Sequence, residues 1–353
     1  MRPILNRPGA PGLAFETGEP RTQVHLLGDH GTRPESQRVP KPRLISIFLL
    51  VLPILLVLSA SSATQAQQHF RGDRAFEIAR QFVSIGPRWP TSPGHLKAEA
   101  FLRDQFKAEA KTGQLEEDTF TANTPIGPVP MRNFIVRFPG KKDGVIVLTT
   151  HYETNYPLRN IGFVGANDGG STTGLLCEIA NELRPQVANS AKLEGYSVWL
   201  VFFDGEEAIE QWQGVDHTYG SRHLAARWGA DGTLKRVKAF LLADMLGDKD
   251  LDVQRETQST KWLSDLVYQA AKNTGHAKNF FAQDQAEEDD HMPFLQRGVP
   301  SVDIIDADYG PHTQALPDGY HHTAQDTMDK ISAKSLTIAG DVFLESIKLI
   351  NQK

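Results

Sequence analysis

Three short apolar runs in this chain each lead into side chains that can hold a proton or a metal ion. Val145 to Thr150 runs into His151, Ser197 to Phe203 into Glu206 and Glu207, and Ala239 to Ala243 into Asp244. Short runs that are apolar on both faces mark the central strands of a sheet covered by helices. In open α/β sheets, ligands gather beyond the carboxyl ends of the strands. The pattern therefore constrains both the fold and the place where chemistry can happen.

Two further strands are read at Asn133 to Phe138 and Ser301 to Ile305. Helices are read at Arg74 to Ile85, His95 to Ala110, Thr172 to Leu183, Lys261 to Asn273 and Ala333 to Ile350. In the last of these, Leu336, Ala339, Phe343, Ile347 and Ile350 form one apolar stripe at three- and four-residue spacing. Strands and helices alternate from residue 69 to residue 353 without repeats or a linker, which predicts a single α/β domain. Its sheet is expected to be central, mixed and mostly parallel, flanked by helices on both faces.

The amino-terminal part reads differently. Residues 1–43 hold seven Pro and five Gly, with seven Lys/Arg against four Asp/Glu, the composition of a disordered basic arm. Residues 44–60 are uncharged and mostly apolar, follow Lys41-Pro42-Arg43, and lead into small residues ending at Ala66. Residues 44–66 therefore read as a signal peptide, with Thr64 and Ala66 before the cut, or as an uncleaved membrane anchor. Either puts residues 69–353 outside the cytoplasm, secreted, periplasmic or anchored, with membrane contact only through 44–60.

With 37 Lys+Arg against 43 Asp+Glu, the chain offers no basic surface for nucleic acid. Its one cysteine, Cys177, rules out an intramolecular disulfide and a Cys-rich zinc module. Cys177 lies in an apolar helix and reads as a small buried hydrophobe. Any metal must be held by His, Asp and Glu.

Asp168, in the loop GFVGANDGGST, and His322, in the loop YHHTAQDT, add to the strand-end set. Singly, each has an ordinary explanation: an Asp before Gly-Gly-Ser-Thr caps a helix, and a lone His sits on a surface or in a core. Asp244 is harder to dismiss, because a carboxylate at the end of an apolar strand needs a partner. Carboxylates and imidazoles at several strand ends are together what an oxygen- and nitrogen-ligated zinc requires. Adjacent Glu206 and Glu207 point in different directions, so one can bind metal while the other serves as general acid and base.

The segments Phe202 to Ala225, Gly165 to Ala180, Glu287 to Ile305 and His321 to Ile331 resemble the glutaminyl-peptide cyclotransferases of the zinc aminopeptidase superfamily. The likeness runs from about residue 74 to the C-terminus. It implies a phosphorylase/hydrolase-like fold of the zinc aminopeptidase type and one zinc held by Asp168, Glu207 and His322. Glu206 would be the acid/base, with Asp244 and Asp289 as its acidic hydrogen-bonding partners. Trp212 would line the substrate pocket together with His321, which stands where the animal enzymes have Trp. The aliphatic residue those enzymes carry before the acidic run is Ala286 or Glu287 here, and their disulfide cannot form. The implied reaction converts the N-terminal Gln of a peptide or protein to pyroglutamate and releases ammonia.

The same residues support another reading. A two-zinc aminopeptidase would use His151, Asp168, Glu207, Asp244 and His322, with His151 and Asp244 on the second metal and Glu206 activating a water. Ligand inventory does not separate the two; the GEEA to SRHLA and EEDDH segments favour the cyclase. A catalytically silent ectodomain would be favoured by a missing ligand or base, and none is missing. His291 reads either as a contact to the active site through its neighbours Asp289 and Asp290 or as a structural or capping residue, and His217, His223, His276 and His312 as loop or helix residues without metal. A peptide substrate, one zinc with a second possible, and a monomer are expected.

Overall fold

Charged residues followed by threonines make up most of the first strand, β1 (Leu115–Thr124), which pairs antiparallel with β2 (Gly127–Phe138) from Leu115 opposite Val136 to Thr124 opposite Gly127. In this computed structural model the described residues are 69–353; the arm 1–43 and the apolar segment 44–66 lie outside them. Next come β3 (Gly140–His151), β4 (Leu193–Phe203), β5 (Val237–Asp244), β6 (Val253–Glu256), β7 (Phe280–Gln285) and β8 (Ser301–Ile305). Six of them form one sheet in the order β1-β2-β4-β3-β5-β8. Its first two pairings are antiparallel and the other three parallel, the mixed, mostly parallel sheet expected from the sequence. β6 and β7 form a separate parallel pair.

Alternation along the strands divides the core into two layers. Ile146 and Leu148 of β3 and Leu200 and Phe202 of β4 face one side, against α1 (Gly72–Val83), α4 (Thr172–Ser190), α6 (Lys261–Asn273) and α8 (Ala333–Asn351). Val145, Val147, Trp199, Val201 and Phe203 face the other, against Leu224 and Trp228 of α5 (Tyr219–Asp231) and Phe294 of α7 (Met292–Leu295). At roughly 1.5–3 kcal/mol per fully buried side chain, these two layers supply the main driving force for the sheet. The apolar stripe of α8 is buried throughout, and Cys177 packs in the same layer.

Ser92 caps the next helix by accepting from His95 N–H at 2.9 Å, with Pro93 in the first turn. The helix expected from His95 to Ala110 is in fact two, α2 (Pro93–Gln105) and α3 (Lys107–Lys111). Phe106 breaks it at φ −110°, and its buried ring packs 5.4 Å from that of Phe202. Packing against the sheet outweighs helix propensity at that residue.

Candidate metal and acid/base site

The parallel strands β4, β3, β5 and β8 end on one edge, and the loops leaving that edge converge there. β3 ends on His151 and β5 on Asp244. After β4 the chain turns through Gly205, at φ +68°, where a β-carbon would meet Met131 Sδ at 2.5 Å; this turn presents Glu206 and Glu207 side by side. Asp168 sits in an irregular turn just before α4, and His322 in the loop after β8 at φ +53°, a left-handed backbone that costs a non-glycine residue energy.

These groups lie close together. His151 Nε2 is 3.0 Å from Asp168 Oδ1 and 3.4 Å from Asp244 Oδ1. His322 Nε2 is 3.1 Å from Glu207 Oε1 and 3.5 Å from Asp168 Oδ2, while His321 Nε2 is 3.9 Å from the same Asp168 oxygen. Asp168, Glu206, Glu207, Trp212, Asp244, Asp289, His321 and His322 all line one cleft of about 610 Å³. His151 lies behind this wall, fully buried. Trp212 is 40% exposed at the rim and stacks on His217, with ring centroids 4.4 Å apart.

The donor set fits a divalent cation. Among the described residues no Lys or Arg lines the cleft, so its buried carboxylates face only imidazoles as counter-charges. Asp168 Oδ2 and both ring nitrogens of His151 are buried without a hydrogen-bond partner. Imidazole nitrogens and carboxylate oxygens converging from separate segments are zinc-type ligands.

Outer contacts hold the candidate ligands in place. Asn155 Nδ2 donates to Glu207 Oε2 at 2.7 Å, and Glu153 Oε1 accepts from the Glu207 amide at 3.1 Å. Asp326 accepts from the amides of Asn167 and Asp168 at 2.8 and 3.2 Å and from Tyr309 Oη at 2.7 Å. Arg88 is wholly buried and donates to the carbonyls of Tyr152, Val164 and Gly165, tying the end of β3 to the Asp168 loop. His95 Nε2 meets Asp204 Oδ1 at 2.9 Å, and Asp204 Oδ2 accepts from Arg132 N–H at 2.7 Å, which fixes the residue before the Gly-Glu-Glu turn.

Burial, then the Asp289 carboxylate, holds the Glu206 carboxyl well above the usual range. Asp289 is pushed up in the same way by burial and by Asp244. Asp168 goes the other way, because the imidazoles of His151, His322 and His321 outweigh its burial. A protonatable Glu206 beside an ionised Asp168 is a proton donor and acceptor next to a cation-binding carboxylate.

The sequence pointed to every lining residue just named, but not to Glu153, Asn155, Asp326, Arg88 or the His95–Asp204 pair. The Glu in His151-Tyr152-Glu153 and the buried Arg in the Pro87-Arg88-Trp89 run were the only cues. His291 is fully buried away from the cleft, 3.4 Å from Glu256 Oε2 and 3.8 Å from Asp303 Oδ2, a structural position.

Residues 133–347 match Peptidase family M28. The glutaminyl-peptide cyclotransferase-like protein of Bos taurus is 31% identical over 339 residues, covering 82% of this chain and 88% of that protein. The crystal structure of an Acidobacteriales bacterium glutaminyl cyclase is 62% identical with a TM-score of 0.79, covering 82% of this chain and 98% of its own. A Zn-dependent exopeptidase from Parabacteroides distasonis is 25% identical with a TM-score of 0.67, covering 81% of this chain and 99% of its own. The chain belongs to peptidase family M28 and, within it, to the glutaminyl-peptide cyclotransferases.

Proposed function

We propose that this chain is an acyltransferase that closes the N-terminal glutamine of a peptide or protein into pyroglutamate and releases ammonia. The observation that carries this reading is Glu206, a buried carboxyl with a raised pKa in the cleft shared by Asp168, Glu207 and His322. Those three would hold one zinc, which when bound supplies Lewis-acid polarisation of the substrate carbonyl. Glu206 takes a proton from the substrate α-amine as its nitrogen bonds to the γ-carbonyl carbon. As the bond from that carbon to the side-chain nitrogen breaks, Glu206 returns the proton to the departing ammonia. Asp289 and Asp244 keep Glu206 protonatable, and Trp212 and His321 border the substrate at the rim.

One observation favours a second reading. The two oxygens of Asp168 face different partners, Oδ1 toward His151 and Oδ2 toward His322, as in a carboxylate bridging two ions. With His151 and Asp244 on a second zinc, the chain would be an aminopeptidase in which Glu206 activates water.

The proposal includes residues 44–66 as a secretory signal or anchor and 69–353 as a monomeric, extracytoplasmic catalytic domain. Among the described residues no helix is long and apolar enough to cross a membrane, which leaves 44–60 as the membrane contact in this reading.

The test is to incubate the purified protein with Gln-initiated and Leu-initiated peptides and read products by mass spectrometry beside zinc content. Loss of about 17 Da, one ammonia, from the Gln peptide is expected for intramolecular amine attack. Release of free leucine would instead establish the aminopeptidase.

A further inference from the structure

On the side chains of α8 and its neighbours, away from the cleft, two imidazoles converge on one carboxylate oxygen. His69 Nδ1 lies 2.6 Å and His276 Nε2 2.9 Å from Asp341 Oδ2. The three come from the first described residue, the turn after α6, and the middle of α8. Asp341 Oδ1 is held separately by the Phe70 N–H at 2.7 Å. The Asp341 side chain is 5% exposed, and among the described residues no Lys or Arg pairs with it.

We infer that His69, His276 and Asp341 form a second, structural site for a divalent cation of the zinc class. Two imidazole nitrogens brought from separate segments onto one buried carboxylate oxygen are a ligand set that zinc takes. The Phe70 amide on the other carboxylate oxygen is the outer contact that fixes a ligating carboxylate. The half-exposed His69 side leaves room for a water as fourth ligand and a path for entry.

The cluster of His95, Glu99 and Asp204 shows the contrast. There Glu99 is paired with the guanidinium groups of Arg103 and Arg132, so its charge is already met. No local pattern marks His276 as a ligand, since its partners lie 65 and more residues away in the chain. The ion would fasten the amino-terminal end of the described fold to its last helix, independently of the catalytic cleft.

The test strips the purified full chain with a chelator, re-titrates it with Zn(II), and counts bound zinc by equilibrium dialysis with atomic emission. Wild type is expected to hold one zinc more per chain than His276→Gln and than His69→Gln, whether the cleft itself holds one ion or two. Zinc added beyond saturation of the cleft is expected to raise the Tm of wild type but not of either variant. Turnover of a Gln-initiated peptide is expected to be unchanged, so failure of this site and failure of the cyclase reading show in different readouts. Equal zinc counts in wild type and both variants would overturn the inference, as would a variant that loses turnover while keeping the full count. His69 is half exposed at the edge of the fold, so its variant tests the site even if His276→Gln does not fold.

Discussion

The imidazole of His151 fills the space that a β-carbon on Gly169 would need: such a carbon would meet His151 Cε1 at 2.9 Å, and Gly169 stands at φ +71°. The residue after Asp168 must therefore be glycine for two independent reasons, backbone conformation and the ring behind it.

Gly169→Ala is expected to lose about 1–2 kcal/mol from the left-handed backbone alone, and further stability from displacing His151. Thermal melts and zinc titration check this. A variant with unchanged Tm and unchanged zinc affinity would show that the turn is not what positions Asp168.

The two adjacent glutamates separate in a paired substitution. Glu206→Gln is expected to retain zinc and lower kcat by about 10²–10⁴-fold, the usual worth of a general acid/base. Glu207→Gln is expected to lose zinc first. Metal analysis beside a steady-state assay decides, and the opposite pattern would mean the roles are exchanged.

His95 and Asp204 form a buried pair under the Gly-Glu-Glu turn. Burial pulls the His95 imidazole down, but the Asp204 carboxylate, with Glu99 and Glu153 behind it, more than offsets this and raises its pKa. A raised folded-state value gives stability that is complete below the unfolded pKa and is lost as pH rises through the folded one. His95→Leu is expected to cost roughly 3–5 kcal/mol, as for breaking a buried pair. The cost should be largest near about pH 6 and smaller near about pH 9. Denaturant unfolding at the two pH values measures it, and a pH-independent cost would mean a neutral His95.

Arg88 is a fork that no lysine can copy, since its three nitrogens reach carbonyls of Gly86, Tyr152, Val164 and Gly165. Arg88→Lys is expected to leave at least two of these buried carbonyls unpaired, at about 1–3 kcal/mol each, and to weaken zinc binding through the loosened Asp168 loop. Hydrogen exchange of residues 164–170 beside zinc titration would test it. Unchanged protection in that loop would remove Arg88 from the positioning of Asp168.

How far the sequence reached depended on whether a residue's role was local. β8 was read with its observed ends because Ser301 to Ile305 is buried on both faces. β1 was missed because Leu115 to Thr124 is a polar edge strand whose pairing with β2 no local pattern reveals. α5 escaped for a related reason, its buried residues Leu224, Ala225 and Trp228 being spread among charged and small ones. The cleft was readable because strand ends mark it in the sequence. Asp326, which holds the Asp168 amide from 158 residues away, carries no such mark.

The residues lining the cleft come from well separated parts of the chain, from Asp168 just before α4 to His322 in the loop after β8. An unfinished chain, whether on a ribosome or partly threaded through a pore, has Asp168 and Glu207 but no imidazole from the final loop to complete the set. If Asp168, Glu207 and His322 hold the ion as proposed, loading waits for the last loop and is a late event in maturation, so the surroundings of the completed chain decide which metal it acquires.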